Sequence, residues 1–445
     1  MKKAISLSLA LAVFTGVSSV YLLPGVGYVV IAAVIAVTIL IALGKINKRH
    51  YPIYIFGLSL SLLWQTSMLG IHIVGVDIHT EYFVANQTIA NGWNLSWSNN
   101  SNTSIVLGLI TPTLAKLGIN PIWQFKAIFP LVCAFTPVIL YYAFKRVIGE
   151  NRSFFACLFF MTMPMFTMEV VSMVKSQWAY MFLASMVFFI TSTYEPWKKA
   201  LGITLSAAGT VFCHYAVGTI AIGYLIGMFG LLTITNWDGL RHLLGQDRLP
   251  LRYTGAVTIC AIAIFCLYLG LLGGGSTLRT IFATGDSAIT IVERVITSDN
   301  DKVTTEVTTP DLTGPQVEDF KEVTNPVASN TYLDSQAPLV RTAIGLDFWR
   351  VSRWGKVFRV FQYLSQLFLV IGFAIVLWKR GYGFTAEYTA GVIASFMLLG
   401  ACVFIPFFTL ALSPTRFYAT TLFFVSPLLI IAIEQIGRRT IKWVR

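Results

Sequence analysis

Residues 75–86 read GVDIHTEYFVAN and bring Asp77, His79 and Glu81 within five positions, directly behind an apolar run. Carboxylates at such a spacing can take a proton or hold a hard cation. In an extended stretch the three side chains alternate onto one face, as ligands of a Mg²⁺ or Mn²⁺ ion would. On a helix, Asp77 and Glu81 share a face at i,i+4 while His79 points away. Gly75 before the cluster and EYFVANQTIANG after it predict a turn at Asp77, then an amphipathic interfacial helix from about Thr80. That places Glu81 in the first helical turn and leaves His79 open. The plainer reading makes Asp77 a helix cap and Glu81 a partner of the helix dipole.

Other polar residues stand out against an apolar background. Glu169 and Lys175 flank a short loop in MEVVSMVKSQW, where an interfacial pair that snorkels is the simple alternative to a site. His214-Tyr215, in FCHYAVG, lies where two apolar runs meet almost without a loop, and packing is the commoner role for such an imidazole. Arg416, in LSPTRFYA, opens the last apolar run behind Pro414; it could snorkel, or grip a phosphate bidentately. In LDFWRVSRWGKVFRVF, Arg350, Arg353, Lys356 and Arg359 alternate with Trp and Phe. That pattern suits an interfacial anchor and also a basic rim for an anionic lipid headgroup.

The elements that must position these residues are membrane helices. The chain has 445 residues, 56% of them hydrophobic and 12% charged, with mean hydropathy +0.71. A soluble protein could not cover that apolar inventory with polar surface. Apolar runs near 4–23, 25–44, 52–71, 122–144, 152–169, 174–193, 199–213, 216–234, 252–274, 357–378, 386–410 and 416–435 predict an all-α polytopic membrane protein of about 12 spans. The first two form a hairpin within 1–50, although the basic, apolar start also imitates a signal peptide. A core follows over 51–274, with a first external loop at 72–121. Residues 275–356 form one long external loop, and 357–445 the last spans with a basic tail.

Charge sets the orientation. With the N-terminus inside, 19 of the 32 Lys+Arg fall on cytoplasmic segments, and the short outer loops keep only Lys116, Lys126, Lys175 and Arg416. Both termini are then cytoplasmic, the membrane is the cell membrane, and Asp77, Glu81, Glu169, His79 and His214 face outward. Topology thus accounts for the basic balance, and no nucleic-acid partner is expected. The six cysteines lie in or beside apolar runs, so neither a disulfide framework nor a thiolate metal site is expected. The outer segment 275–356 contains SAITIVERVIT, a candidate surface helix, and a Thr/Pro/Asp-rich stretch. Asn86, Asn94, Asn99 and Asn102 each begin an N-x-S/T triplet. No nucleotide-binding, zinc-protease or serine-hydrolase motif is present.

Taken together, an outer carboxylate motif, many spans and a long late outer loop resemble the GT-C glycosyltransferases, membrane enzymes that take sugars from polyprenyl-phosphate or -diphosphate carriers. More narrowly, GVDIHTEYFVAN resembles the G-x-D-x-H-x-E-Y segment, ending here on Tyr82, of an archaeal GT-C-like membrane family. The resemblance extends to Lys175-Ser176-Gln177, His214-Tyr215 and Arg416-Phe417, and runs from about 52 to 435. Lysine stands at 175 where it implies arginine. It implies inverting transfer to a glycan, lipid or protein acceptor, with Asp77 as general base and Glu81 orienting it, binding a sugar hydroxyl or holding a cation. Lys175, His214 and Arg416 would meet the departing phosphate, with His79, Tyr82, Glu169, Gln177, Tyr215, Arg350 and Arg353 as further substrate contacts. A lipid-linked glycan polymerase or ligase is the nearest alternative, though such enzymes lean on Arg and His. A transporter or flippase of lipid-linked saccharide would place charges at mid-span, where this sequence has almost none. A non-catalytic export partner would not need the outward cluster.

Overall fold

The computed structural model describes residues 2–23, 25–97, 99–235, 249–279, 281–282, 348–349, 351–378, 382–404 and 414–444. These residues are helical, without strands. In chain order the helices are α1 (Lys2–Val20), α2 (Val26–Ala42), α3 (Tyr51–Ser67), α4 (Asp77–Asn91), α5 (Val106–Lys116), α6 (Pro121–Ile148) and α7 (Glu150–Thr162). After them come α8 (Val174–Ile190), α9 (Pro196–Cys213), α10 (Tyr215–Ile234), α11 (Leu251–Leu271), α12 (Arg353–Trp378), α13 (Ala386–Phe404) and α14 (Pro414–Val444).

Among the described residues, seven helices are long and apolar enough to cross a membrane: α1, α6, α10, α11, α12, α13 and Thr415–Arg438 of α14. The other five predicted segments are helical but fall short of that measure. Helices α2, α3 and α8 have 17 residues each, α9 carries Lys198 and Lys199 in its first turn, and α7 has only 13 residues. A helix of that last length rises about 20 Å, against a hydrocarbon core of about 30 Å. Pro164 ends α7 early, and the chain continues as a π-turn over Met165–Glu169. The predicted 152–169 segment is therefore two pieces. The predicted surface helix in SAITIVERVIT, most of the long loop 275–356, and Arg350 lie outside the described residues.

Two ends of the bundle are chemically distinct. At one, Arg416 of α14 meets Asp77 at the start of α4 at 3.0 Å. Glu434 lies about 27 Å further along the same helix by its rise and meets Arg152 of α7 at 2.5 Å. Around it cluster further residues assigned to the cytoplasmic side by the charge count: Arg438 on Glu434 at 2.5 Å, and Lys145 on Glu150 at 2.6 Å. Lys199 and Glu387 join α9 to α13 at 3.1 Å, both buried, and Glu387 also accepts the Leu249 N–H. The membrane-length gap between the two ends holds packed aromatics, with Phe423 against Phe160 at 4.9 Å and Tyr180 at 5.3 Å. Glycine permits a close crossing: a Cβ on Gly372 of α12 would lie 2.1 Å from the Leu428 carbonyl oxygen of α14.

Candidate active site

The polar residues of the Asp77 end divide into two clusters. The first lines an open cavity of about 620 Å³ whose wall includes Gly75, Asp77, Glu169, Ser172, Met173 and Arg416. Gly75 starts it. Its φ of +131° lies where side-chain-bearing residues are rare, and a Cβ there would lie 2.5 Å from that of Ser172. The turn and the 168–173 loop are therefore pressed together. Asp77 is the first residue of α4, so the helix starts three residues before the predicted Thr80: Asp77 lies in the first helical turn rather than in the preceding turn, and Glu81 falls in the second. It does not cap α4 through its side chain: position N-cap belongs to Val76, and the Asp77 carboxylate reaches across to Arg416 Nη2.

Arg416 enters from the first turn of α14, mostly buried, with Nη2 also 3.1 Å from Met173 Sδ. Its Nε is buried and has no acceptor among the described residues. Arg416 lines the cavity with one nitrogen held by Asp77, and its guanidinium charge suits an anion bound there. Glu169 ends the π-turn and accepts a 2.6 Å hydrogen bond from Thr415 Oγ1. Burial raises its pKa above the usual carboxylate value, against the lowering pull of Thr415 and Arg416, while Asp77 adds to the rise. The cavity therefore holds two carboxylates in unlike settings beside one cation, the pattern by which acid and base roles separate.

The second cluster is internal. Glu81 is fully buried one helical turn beyond Asp77. Its Oε2 accepts the Val174 N–H at 2.6 Å and its Oε1 lies 3.5 Å from Lys175 Nζ. Val174 opens α8, whose own N-cap residue, Met173, supplies no side-chain bond. Glu81 thus caps α8 from another helix, where the dipole and the orphan N–H groups favour a carboxylate. Burial raises its pKa, the largest influence on it, while Lys175 and the α8 N–H groups oppose the rise. Lys175 also donates to Ser101 Oγ at 3.1 Å and stands 5.8 Å above the Tyr215 ring.

His214 fits the packing reading. It joins α9 to α10 and caps α10, its Nδ1 accepting the Ala216 and Val217 N–H groups at 3.1 and 3.2 Å. Two donors on Nδ1 require that atom unprotonated, so the proton of the neutral ring is assigned to Nε2. Burial, then the charges of Lys175 and Arg416, push the imidazole pKa well below its ordinary value. Tyr215 stacks on it at 5.4 Å.

The structure therefore brings Asp77, Glu169 and Arg416 together in the cavity and holds Lys175 and His214 behind its wall. Gln177 is buried and donates to the Val171 carbonyl at 3.4 Å, tying down the loop that lines the cavity. Tyr82 packs edge-on against Phe125 at 5.4 Å, and His79 is exposed on another side of α4. Arg353 is exposed at the start of α12, with Trp349 and Trp354 exposed beside it. The helical form of 77–91 also decides the cation question. His79 turns away, Glu81 is occupied by an ammonium and a helix terminus, and among the described residues no three His, Cys, Asp or Glu are placed to hold a metal ion. The Asp77–His79–Glu81 set does not fit a Mg²⁺ or Mn²⁺ site.

Sequence reasoning missed Ser101, Thr415 and Met173, whose roles depend on contacts far along the chain. It also counted Lys126 as an outer-loop charge. Lys126 is buried and donates to the Leu69 and His72 carbonyls at 3.2 and 2.5 Å, bracing the segment that leads to Asp77.

A family model described as a predicted membrane protein, DUF2206, matches residues 344–444. The match takes in α12, α13, α14 and Arg416 and stops short of Asp77 and Glu169. No curated protein and no solved structure matches the chain. The protein is a helical membrane protein, with a lipid bilayer as its surroundings.

Proposed function

We propose that this protein is a GT-C-like glycosyltransferase. It moves a sugar from a polyprenyl-phosphate or -diphosphate carrier to the hydroxyl of a glycan, lipid or protein acceptor, at the external face of the cell membrane. On this reading the chain crosses twelve times with both termini in the cytoplasm and the Asp77 end outside, the orientation favoured by the 19-to-4 distribution of basic residues read from the sequence. The observation that carries the reading is the cavity, whose wall holds Asp77 and Arg416 paired at 3.0 Å.

In the reaction, the acceptor oxygen attacks the anomeric carbon as its proton passes to Asp77. The bond from that carbon to the phosphate oxygen breaks, and the lipid phosphate leaves with the bonding electrons. Arg416 meets the charge that develops on the leaving oxygen, where a preorganised cation is most effective. Glu169, its pKa raised by burial, suits a hydrogen bond to a sugar hydroxyl. Three methionines, Met165, Met168 and Met173, line the same cavity and give an adaptable apolar surface to the first isoprene units. Glu81 acts through α8 and the Asp77 turn as a positioning residue.

The test is a panel of labelled polyprenyl-phosphate sugars offered to the protein in nanodiscs, with release of lipid phosphate followed for wild type and Arg416→Ala. Release by wild type, reduced about a hundredfold or more in the variant, supports the reading. Binding and passage of the intact donor across the bilayer, without release, replaces it with a transporter.

A further inference from the structure

The C-terminal half of α4 carries a second cavity that the reaction above does not use. It encloses about 420 Å³ and is walled by Phe83, Gln87, Thr88, Asn91, Asn94 and Trp97, with no charged residue in its lining. Phe83, Gln87 and Asn91 recur at i,i+4,i+8 and are exposed on one stripe of the helix, whereas Val84 and Ala85 face the interior. Across from that stripe, Trp97 meets Phe83 edge-on at 6.4 Å.

The facing loop is built in advance. Buried Asn102 donates from Nδ2 to the carbonyls of Asn94 at 2.7 Å and Trp97 at 3.2 Å, and its own carbonyl accepts Trp93 Nε1 at 3.1 Å. Asn94 Oδ1 accepts the Ser96 N–H at 3.0 Å. On the helix, Asn91 Nδ2 donates to Gln87 Oε1 at 2.9 Å, so the two amides are oriented as a pair. That pairing still leaves Gln87 its N–H donors and Asn91 its carbonyl oxygen.

The chemistry of this wall narrows the ligand. With no cation it gives a phosphate no counter-charge, and with three amides it is a poor bed for an acyl or isoprenoid chain. Paired amides match vicinal hydroxyls, each of which both donates and accepts. An indole and a phenyl ring offer negative π-faces to the weakly positive C–H groups of a pyranose. We infer that this cavity is a binding site for an uncharged saccharide and, resting on the glycosyltransferase reading, that it holds an inner sugar of a glycan acceptor. Gln87 lies about 15 Å along α4 from Asp77 by helical rise. A chain of several sugars bound at Gln87 can thus present its terminal hydroxyl to the base, and a single sugar cannot reach both.

The full-length protein in nanodiscs is titrated with α-mannotetraose, maltotetraose and chitotetraose, with inorganic phosphate as the anionic control. Saturation transfer to the sugar C–H protons reports binding. Wild type binds at least one tetrasaccharide, and added inorganic phosphate does not displace it. The double variant Gln87→Ala/Asn91→Ala, altered only at exposed positions, weakens Kd about tenfold or more through two lost hydrogen bonds, and the melting temperature stays within about a degree of wild type. No binding of any of the three, or binding unchanged in the double variant, overturns the inference. Transfer kinetics separate it from the parent reading. Sugar transfer with an unchanged KM for long acceptors overturns the site and leaves the transferase. Binding that depends on the amide pair, without transfer from any donor, keeps the saccharide site and removes the transferase. A raised KM for tetrasaccharide acceptors, with kcat and monosaccharide acceptors unaffected, supports both.

Discussion

Replacing Glu81 by alanine separates a brace from a catalyst. The side chain is buried, accepts the Val174 N–H at 2.6 Å and faces Lys175 at 3.5 Å. Glu81→Ala leaves a buried ammonium without its counter-charge, and removing one partner of such a pair costs about 3–5 kcal/mol. The unanswered N–H groups at the start of α8 contribute to the same loss, on the order of 1 kcal/mol. The expected total is therefore about 3–5 kcal/mol, read from an SDS titration in mixed micelles with helicity followed by circular dichroism. Glu81→Gln keeps an acceptor for Val174 and should lose less. Glu81→Ala/Lys175→Met, which removes both charges, should recover at least half of the single-variant loss, as expected for a coupled pair. Function should follow stability across the series: where the protein remains folded, lipid-phosphate release persists. A Glu81→Gln protein with wild-type unfolding and no release would refute this reasoning and place Glu81 in the chemistry.

Other outcomes follow from the same geometry. Gly75→Ala should destabilise by about 1–3 kcal/mol, because a Cβ would meet Ser172 at 2.5 Å and the φ is +131°; the same unfolding titration checks it, and a neutral result would mean the turn relaxes freely. Glu169 binds its proton more tightly folded than unfolded. Stability should therefore fall as pH rises from the usual carboxylate pKa through the raised one, and Glu169→Gln should flatten that part of the stability–pH curve. Arg416→Lys keeps the charge but loses the Nε edge, so release should drop while Asp77 stays paired; activity equal to wild type would show that a point charge suffices.

The helical character of the chain was legible because its apolar runs are long. The span measure was less so: Pro164 and the π-turn that delivers Glu169 interrupt what reads as one segment. Gly75 marked the break before α4, but the helix starts at Asp77 and not near Thr80 as the pattern after it suggested. The partner of each charge was not legible. Glu81 is defined by the N-terminus of α8, 93 positions away, and Glu169 by Thr415, 246 positions away. Such pairings depend on how helices cross, which local periodicity does not encode. For the same reason Lys175 and His214 read as phosphate ligands, although Lys175 is committed to Glu81 and Ser101 and His214 to the cap of α10. Arg416 was legible through Pro414, which starts its helix, and the contact with Asp77 across 339 positions emerges only in the fold.

The central claim is that Asp77 takes the acceptor proton. Its pair with Arg416 is accessible, with the Asp77 side chain 48% exposed, so Asp77→Asn should cost at most about 1 kcal/mol of stability. The decisive measurement is single-turnover release of lipid phosphate from a productive polyprenyl-phosphate sugar in nanodiscs, comparing wild type with Asp77→Asn at matched folded fraction. The account predicts a loss of about 10²–10⁴-fold, the usual worth of a positioned general base. Equal release from the two proteins would contradict it.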